Sequence, residues 1–507
     1  MLRLNVWADP GHLGVGSSNR YSSVETNCAS LSETDCACPA EVVPVGHPSF
    51  LVDPGQLWQI APGLHHHTLS KEHVLVFSPA GRAGVIVLHQ DAWQLLQAFG
   101  TPQPLSPPIG FPDAPAEVVS AALRLLVQLD LLCPTDAPPS PPQPRSRTLT
   151  VWLHVTNACN LRCTYCYIAK SNEHMEESTG RRAIRSVVQS ALEQGFQRIK
   201  LKYAGGEPAL RSRLIARLHS YAQTLTRHHG LELDAVVLSN GVALDEAFLA
   251  FLRAQNIRLM VSLDGMGSTH DAQRPTVGGQ GSYARVIHTL EQARARGIRP
   301  HLSVTVTAQN VDTLPQVVDF ALERELPMNL NFYRDYSGDA SAVLLRSQEE
   351  RLIQGMRGAF RAIEERLPRY RLLDGLLDRS NFVAPHDRAC GMGESYLVID
   401  HRGRVSACQM EMEQAVAHID QGSEILLHVQ RAAQPHNPPV TEREGCAECT
   451  WRFWCAGGCP LLTQRVTGRT DLRSPYCRVY KALFPELLRL EALRLLKWEK
   501  PLGMAAA

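Results

Sequence analysis

The sequence predicts an α/β protein built on a partial (β/α)6 barrel, and two patterns between residues 149 and 333 carry that prediction. Apolar strand-like runs alternate with amphipathic helical runs through this stretch, which is typical of right-handed βαβ units and a parallel sheet. Polar and glycine-rich motifs stand where individual strands end. Because ligands of such sheets bind at the carboxyl ends of the strands, we expect one site there.

The alternation contains six strands and five helices. The predicted strands cover residues 149–156, 199–203, 235–238, 258–261, 299–305 and 328–332, and the predicted helices cover residues 180–193, 210–228, 245–254, 283–296 and 313–325.

Three cysteines follow the first predicted strand at the spacing C-x3-C-x2-C, namely Cys159, Cys163 and Cys166. Soft thiolates in one short loop select an iron–sulfur cluster or zinc. No fourth cysteine follows closely, so one iron of a [4Fe–4S] cube would keep an open coordination position. A structural zinc knuckle is the alternative, although such sites prefer four closed ligands.

The loop, with Tyr165 just before its last cysteine, resembles the signature of the radical S-adenosylmethionine (SAM) superfamily. Later strand ends carry motifs that match the same family: Gly205-Gly206-Glu207-Pro208, Ser239-Asn240, and Ser262 with Asp264 and Arg274. The resemblance implies that Cys159, Cys163 and Cys166 hold a catalytic [4Fe–4S] cluster. It also implies a set of SAM-binding residues: Tyr165, Gly205, Gly206, Glu207, Pro208, Ser239, Asn240, Ser262, Asp264 and Arg274. Glu207 is expected to accept a hydrogen bond from the SAM ammonium group.

Composition limits the cellular setting. The 507 residues predict roughly three to four domains, and 44% hydrophobic residues suffice for globular cores. A net charge of +1 gives no support for a nucleic-acid or membrane partner, and no apolar run reaches the roughly 18 residues of a membrane span. Fourteen cysteines without a secretory signal indicate cytoplasmic metal chemistry.

Residues 54–133 predict a small domain, which follows a flexible arm at residues 1–53. Strands at 74–78 and 85–89 precede helices at 91–99 and 117–132, and this order resembles the winged-helix RiPP recognition element. That family implies a precursor peptide whose leader binds as an added strand at the sheet edge. An ordinary winged-helix scaffold is the alternative.

Three thiols lie in the arm: Cys28, Cys36 and Cys38. They are either unligated surface thiols or part of a fused substrate segment. A proline-rich linker at residues 134–147 separates the small domain at 54–133 from the barrel, residues 148–335.

Seven cysteines follow a helical bridge at residues 336–385, in which a helix is predicted at 348–376. They are Cys390, Cys408, Cys446, Cys449, Cys455, Cys459 and Cys477. Their spacing over residues 386–482 resembles the SPASM domain, whereas a zinc ribbon accounts for only four of them. A helix at 482–499 within the final segment, residues 483–507, is expected to cap this domain.

The SPASM resemblance implies two auxiliary [4Fe–4S] clusters. The far one would be held by Cys446, Cys449, Cys455 and Cys477, and the near one by Cys390, Cys408 and Cys459. The near cluster lacks a fourth thiolate. Either His386 or Asp387 fills that position, or it is open to a substrate thiolate.

Together the resemblances imply a radical SAM peptide-modifying enzyme, a RiPP maturase. A 5′-deoxyadenosyl radical would remove hydrogen from a precursor-peptide residue so that a thioether or C–C crosslink forms. Flavodoxin or ferredoxin would donate the electron. The alternatives are a sulfatase-maturase-like enzyme that forms formylglycine, and a non-enzymatic iron–sulfur scaffold that binds a peptide. The sequence does not specify the precursor, the residue attacked or the bond formed.

Overall fold

The first part of the chain forms an antiparallel sheet flanked by two helices. The computed structural model describes residues 3–9, 55–108, 115–136, 146–334, 348–373, 375–378 and 381–502. The elements of this part are β1 (Val6–Ala8), β2 (Leu57–Ile60), β3 (His65–Thr68), β4 (His73–Phe77), β5 (Ile86–His89), α1 (Gln90–Gln97), β6 (Gln103–Pro104), α2 (Ala116–Gln128) and β7 (Leu132–Pro134). The main sheet has the order β1-β5-β4-β3, and β6-β2-β7 form a second, smaller sheet. The two strands and two helices predicted here are therefore present.

The first strand corrects the prediction of a flexible arm over residues 1–53. Val6–Ala8 pair antiparallel with β5, and Leu4, Val6 and Ala8 are each no more than 2% exposed. A three-residue strand is too short to show a period in the sequence, so only its partner strand reveals it. The arm interpretation is wrong for these residues. Cys28, Cys36 and Cys38 lie outside the described residues.

The two faces of this sheet pack against different parts of the protein. Val74, Val76, Ile86 and Leu88 belong to a core shared with α1 and α2. Leu75, Phe77, Val85 and Val87, on the opposite face, belong to the large core of the rest of the chain. This arrangement joins the N-terminal sheet firmly to the C-terminal region.

The barrel strands confirm the predicted alternation. The strands are β8 (Thr148–Thr156), β9 (Arg198–Gly205), β10 (Glu232–Ser239), β11 (Arg258–Ser262), β12 (His301–Val306) and β13 (Met328–Phe332), and the helices are α3 (Glu177–Glu193), α4 (Ser212–His228), α5 (Glu246–Ala254), α6 (Ser268–Gln273), α7 (Tyr283–Ala295) and α8 (Leu314–Glu323). Each strand pairs in parallel with the next one along the chain. Sequential parallel pairing is the topology of a barrel wall, so the strand-end motifs meet at one rim.

Side chains alternate between the two faces of this wall. Leu149, Val151, Leu153 and Val155 of β8 belong to the core under the helices. The period of two therefore directs Thr150, Trp152 and His154 to the opposite, concave face.

The C-terminal region continues the same sheet. Its elements are α9 (Glu349–Glu365), β14 (Tyr396–Ile399), β15 (Arg404–Ser406), β16 (Ala417–His418), α10 (Ile425–Ala433), α11 (Arg452–Cys455), α12 (Pro460–Thr467) and α13 (Cys477–Trp498). Strand β14 pairs in parallel with β8, and β15 and β16 follow antiparallel. The nine strands thus form one sheet that links the barrel to the cysteine-rich region.

Three helix boundaries differ from the sequence prediction by four residues or more. Helix α2 ends at Gln128 rather than 132, and Leu132 belongs to β7 instead. Helix α9 ends at Glu365 rather than 376, because Pro368 disfavours helical backbone at the residue before it and offers no N–H of its own. Helix α13 begins at Cys477, five residues earlier than predicted, and contains Pro485. Its Phe484 contacts Trp451 in the cysteine-rich region, with ring centroids 5.4 Å apart.

Among the helices of the described ranges, none is long and apolar enough to span a bilayer.

Candidate active site

The three-cysteine loop leaves the carboxyl end of β8 and is held by the turn that follows β9. The backbone N–H of Gly206 donates to Thr156 O at 2.7 Å, and that of Glu207 donates to Ala158 O at 2.8 Å. A Cβ atom on Gly206 would lie 2.3 Å from Ala158 O. Gly206 therefore allows a close approach between this turn and the cysteine loop. The sequence motif had placed Gly206 in the implied SAM-binding set.

The other side of the loop is fixed by the segment after α6. The N–H groups of Arg162 and Thr164 donate to Pro275 O at 2.8 Å and to Gln273 O at 3.0 Å. The loop is thus clamped between two strand-end segments, which keeps its three thiols in one place without a helix.

The thiols sit in a partly buried setting beside two cations. Lys170 Nζ lies 2.9 Å from Cys166 Sγ, and the guanidinium of Arg274 is close enough to favour the thiolate of Cys163. Burial nevertheless raises the pKa of Cys163 to about 11 and also raises that of Cys159. Burial thus disfavours the thiolates of Cys159 and Cys163, and a bound metal cation would favour them.

Glu207 is buried and its carboxylate is engaged by the protein. Its Oε1 accepts hydrogen bonds from Ser239 Oγ at 2.8 Å and from Ala209 N at 3.0 Å, and its Oε2 accepts from Asn240 N at 2.6 Å. Burial raises the pKa of this carboxyl. The structure gives Glu207 a positioning role that ties the end of β9 to the end of β10. Its predicted contact with the SAM ammonium group stays a prediction.

Asn240 carries this connection to the cysteine loop. Its Nδ2 donates to Asn160 Oδ1 at 2.7 Å and lies 3.7 Å from Cys159 Sγ.

The other predicted SAM-binding residues also stand at strand ends. Pro208 is buried and begins a 3-10 turn after Glu207. Gly205 ends β9, and Ser262 ends β11 in register with Ser303 of β12.

Tyr165, Asp264 and Arg274 meet directly beneath the loop. The Tyr165 hydroxyl donates to Asp264 Oδ2 and accepts from Arg274 Nη1, and Arg274 Nη1 also lies 3.4 Å from Asp264 Oδ2. Burial raises the pKa of Tyr165, so its hydroxyl stays a donor. Arg274 Nε has no hydrogen-bond partner in the described chain. The predicted residues are therefore brought together, with a free buried donor beside the cysteines.

Several residues of this network were not singled out from the sequence. Asn310 donates to Asp264 O at 2.7 Å, and Thr305 N donates to Asp264 Oδ1 at 2.8 Å. Both belong to β12 or the loop after it. The same strand-end rule that pointed to Ser239 and Asp264 applies to this strand, but no motif there resembled the family.

The concave face of the barrel carries further buried polar groups. His154 Nδ1, Trp152 Nε1 and Asn329 Oδ1 lack hydrogen-bond partners within the described residues, and His154 is fully buried. Burial lowers the pKa of His154 to about 4, so its ring is neutral at physiological pH. Unpaired polar atoms of this kind suit a polar substrate that enters the barrel.

Four of the C-terminal cysteines line one cavity. Cys446, Cys449, Cys455 and Cys477 line the same small cavity. Burial raises the pKa of Cys446 to about 11 and that of Cys455 to about 12. Their grouping follows the set expected for the far cluster.

The remaining three form a second group. The thiolates of Cys459 and Cys390 both oppose ionisation of Cys408, and burial raises the pKa of Cys408 to about 12. His386 is buried, and its Nδ1 lies 3.2 Å from Ala384 O. One ring nitrogen of this histidine therefore faces its own backbone.

A family comparison gives the same answer for the barrel as its geometry. Residues 153–321 match the model of the radical SAM superfamily. The chain carries a radical SAM domain. This domain holds the cysteine loop, the turn after β9 and the Tyr165–Asp264–Arg274 network.

Two characterised relatives share parts of the chain. The sporulation killing factor maturation protein SkfB of Bacillus subtilis is 28% identical over 168 residues, which are 33% of this chain and 38% of SkfB. The serine-type anaerobic sulfatase-maturating enzyme of Klebsiella aerogenes is 24% identical over 360 residues, which are 65% of this chain and 84% of that enzyme. Two other curated relatives are matched over about half of their own length.

A solved structure shares the fold over about two thirds of the chain. Native anSMEcpe with bound AdoMet superposes with a TM-score of 0.56 at 19% identity, and the match covers 68% of this chain and 99% of that one.

The radical SAM superfamily uses a [4Fe–4S] cluster and SAM, and the residues of this domain fit both. Three thiols on one clamped loop can hold three irons, and Arg274 and Lys170 offset the negative charge of the thiolates. A cleft of about 760 Å³ opens beside the loop and is lined by Cys159, Lys170 and Leu210 among others.

Proposed function

We propose that the chain is a radical SAM peptide maturase that modifies a residue of a precursor peptide. The observation that carries the proposal is the arrangement of its cysteines: three on the clamped loop of the radical SAM domain, and seven in two groups in the C-terminal region. SkfB, a maturation protein of the sporulation killing factor, and the sulfatase-maturating enzyme support a peptide or protein as the substrate class.

The protein's own groups would hold and orient the cofactors. Cys159, Cys163 and Cys166 would ligate the cluster, while Arg274 Nε and Asn240 Nδ2 are donors near its edge. Bound together, cluster and SAM supply one-electron cleavage of SAM and a radical that removes an unactivated hydrogen. The network beneath the loop keeps the loop in a single geometry during that step.

The seven C-terminal cysteines would hold two auxiliary clusters, as in a SPASM domain. The four that line the small cavity would complete the ligation of one. The other three leave one iron without a thiolate, which we assign to a substrate thiol in preference to His386. An external flavodoxin or ferredoxin would supply the electron.

The N-terminal sheet with α1 and α2 would recognise the leader of the precursor, in the manner of a RiPP recognition element. Its strands β3, β4 and β5 form an antiparallel meander with an edge at each of its outer strands. Backbone groups at such an edge can pair with an added peptide strand.

One residue bears on the alternative of formylglycine formation. Sulfatase maturases carry an aspartate base directly after the cysteine that corresponds to Cys408, and this chain has Gln409 there. Gln409 Oε1 accepts a hydrogen bond from Tyr396 at 2.8 Å. An amide cannot remove a proton as a carboxylate does, which favours crosslink formation.

Anaerobic reconstitution tests the proposal. The protein should bind roughly twelve irons if three four-iron clusters form, and should release 5′-deoxyadenosine from SAM with dithionite. Replacing Cys159, Cys163 and Cys166 with alanine should remove about four irons and abolish the product. Replacing Cys133, which the proposal leaves unligated, should change neither. Zinc in place of iron in anaerobically purified protein would refute the proposal.

A further inference from the structure

The strand β1 is an addition to a sheet that is otherwise built by consecutive strands. Strands β3, β4 and β5 pair as an antiparallel meander, and β1 joins the β5 edge from far away in the sequence. Its registered pairs are Val6 with Leu88, Trp7 with Val87 and Ala8 with Ile86. Antiparallel addition of a remote segment to a sheet edge is also how such sheets bind peptides.

Side chains of this strand fill pockets on both sides of the sheet. Leu4, Val6 and Ala8 belong to the core with α1 and α2, whereas Trp7 belongs to the core on the opposite face. The Trp7 ring meets His73 edge-on, with centroids 5.1 Å apart. The contacts at this edge therefore include apolar side chains on alternating faces of the sheet as well as backbone pairing.

Charged residues hold the two ends of the strand. The Arg3 N–H donates to Asp91 Oδ2 at 2.7 Å, and the Arg3 side chain lies 3.7 Å from Glu72. At the other end Asp9 pairs with Arg371. This polarity fixes the direction in which a strand can lie along β5.

On the far side of the strand, Val6 meets Leu502, which follows α13. Leu502 N donates to Val6 O at 2.7 Å, and His89 N donates to Asn5 O at 2.9 Å. Because hydrogen-bonded pairs alternate in an antiparallel ladder, Asn5 and Trp7 direct their backbone groups at β5 while Val6 directs its own away.

We propose that the β5 edge is a peptide-binding site that this chain fills with its own residues 3–9. The site takes an extended peptide with a basic residue, alternating apolar residues, an aromatic residue and an acidic residue in that order. An external peptide binds there only by displacing the internal strand. The inference rests on the proposed recognition role of this domain, and it names the segment recognised.

Binding in trans tests the inference. The probe is a labelled synthetic peptide with the sequence of residues 1–12, and the protein is the reconstituted chain that lacks residues 1–9. We expect the shortened chain to bind the peptide. The full chain should bind it at least about 100-fold more weakly, because its tethered strand competes at high effective concentration.

Two peptides that keep every side chain provide the matched control. An N-methyl group on Trp7 blocks the ladder to β5 and should abolish binding. An N-methyl group on Leu4 points away from β5, two residues before the Val6 carbonyl that Leu502 contacts, and should leave most of the binding. If the shortened chain does not fold, full-length Trp7→Pro offers the same freed edge. Failure of the peptide to bind either protein, or equal loss with both methylated peptides, would overturn the inference.

The release of 5′-deoxyadenosine is measured on the same samples. Normal SAM cleavage without peptide binding would leave the proposed chemistry intact and remove only the edge site. Peptide binding without any SAM cleavage in the full chain would support the edge site and contradict the proposed chemistry.

Discussion

The missing side chain of Gly457 makes room for the guanidinium of Arg443. A Cβ atom at Gly457 would lie 2.7 Å from both Cδ and Nη1 of Arg443, and the φ of Gly457 is +77°. Arg443 is fully buried and donates to the carbonyls of Pro438 and Gly458. Its charge acts on thiols of both C-terminal groups, Cys390 and Cys459 in one and Cys446 and Cys455 in the other. The arginine therefore stands between the two sets.

Gly457→Ala should lower the stability of the C-terminal region by more than the free-energy cost of placing alanine at a left-handed φ. Left-handed φ costs a non-glycine residue about 1 kcal/mol, and the collision with Arg443 adds to it. Gly468→Ala is the control, because Gly468 has the same φ of +77° with nothing within 4 Å of its Cβ position. Thermal unfolding under anaerobic conditions should show a larger drop in Tm for Gly457→Ala. Equal drops would contradict the role assigned to the contact.

Arg443→Met should lower the reduction potentials of both auxiliary clusters. A reduced cluster carries one more negative charge, and the buried guanidinium stabilises that charge; removing it favours the oxidised form. Potentiometric titration followed by electron paramagnetic resonance measures this, with the cluster of Cys159, Cys163 and Cys166 as internal reference. The outcome at odds with the prediction is an unchanged potential in a variant that keeps its iron.

Tyr165→Phe should loosen the cysteine loop without removing a ligand. The change deletes the hydroxyl that links Asp264 to Arg274 and leaves two buried charged groups less well paired. We expect SAM affinity to fall about 10-fold, equivalent to about 1.4 kcal/mol, as measured by equilibrium binding. Tyr221→Phe is the control, since the Tyr221 hydroxyl accepts a hydrogen bond from Arg185 at 3.2 Å at an exposed site. Similar losses in both variants would argue against the network.

His219 should make the protein less stable in mild acid. Burial lowers the pKa of His219 to about 4 from 6.5, so the unfolded chain binds the proton first. Its contribution is complete above pH 6.5 and is lost as the pH falls towards 4, by about 2 kcal/mol at pH 5. His219→Phe should therefore flatten the fall in Tm between pH 7 and pH 5. The exposed His228 of the same helix is the control, and its replacement by glutamine should leave that fall as it is.

The sequence by itself determined the barrel and its rim. Strong alternation of long apolar runs predicted all six strands, because each of these segments buries one face whatever its neighbours are. The cysteine loop and the strand-end motifs were equally readable, since their chemistry depends on a few residues that are close in the chain. Tyr165, Asp264 and Arg274 are an example, although their direct contact could not be foreseen.

Only the tertiary structure decided how distant segments complete one another. The three residues of β1 are a strand because they pair with β5 and because Leu502 N donates to Val6 O, which no local pattern reveals. Likewise β14 joins the barrel sheet through β8, and the buried Arg443 meets cysteines from both C-terminal groups. Such contacts depend on the folded arrangement of remote segments, and their free energy arises from burial and pairing that exist only once those segments meet.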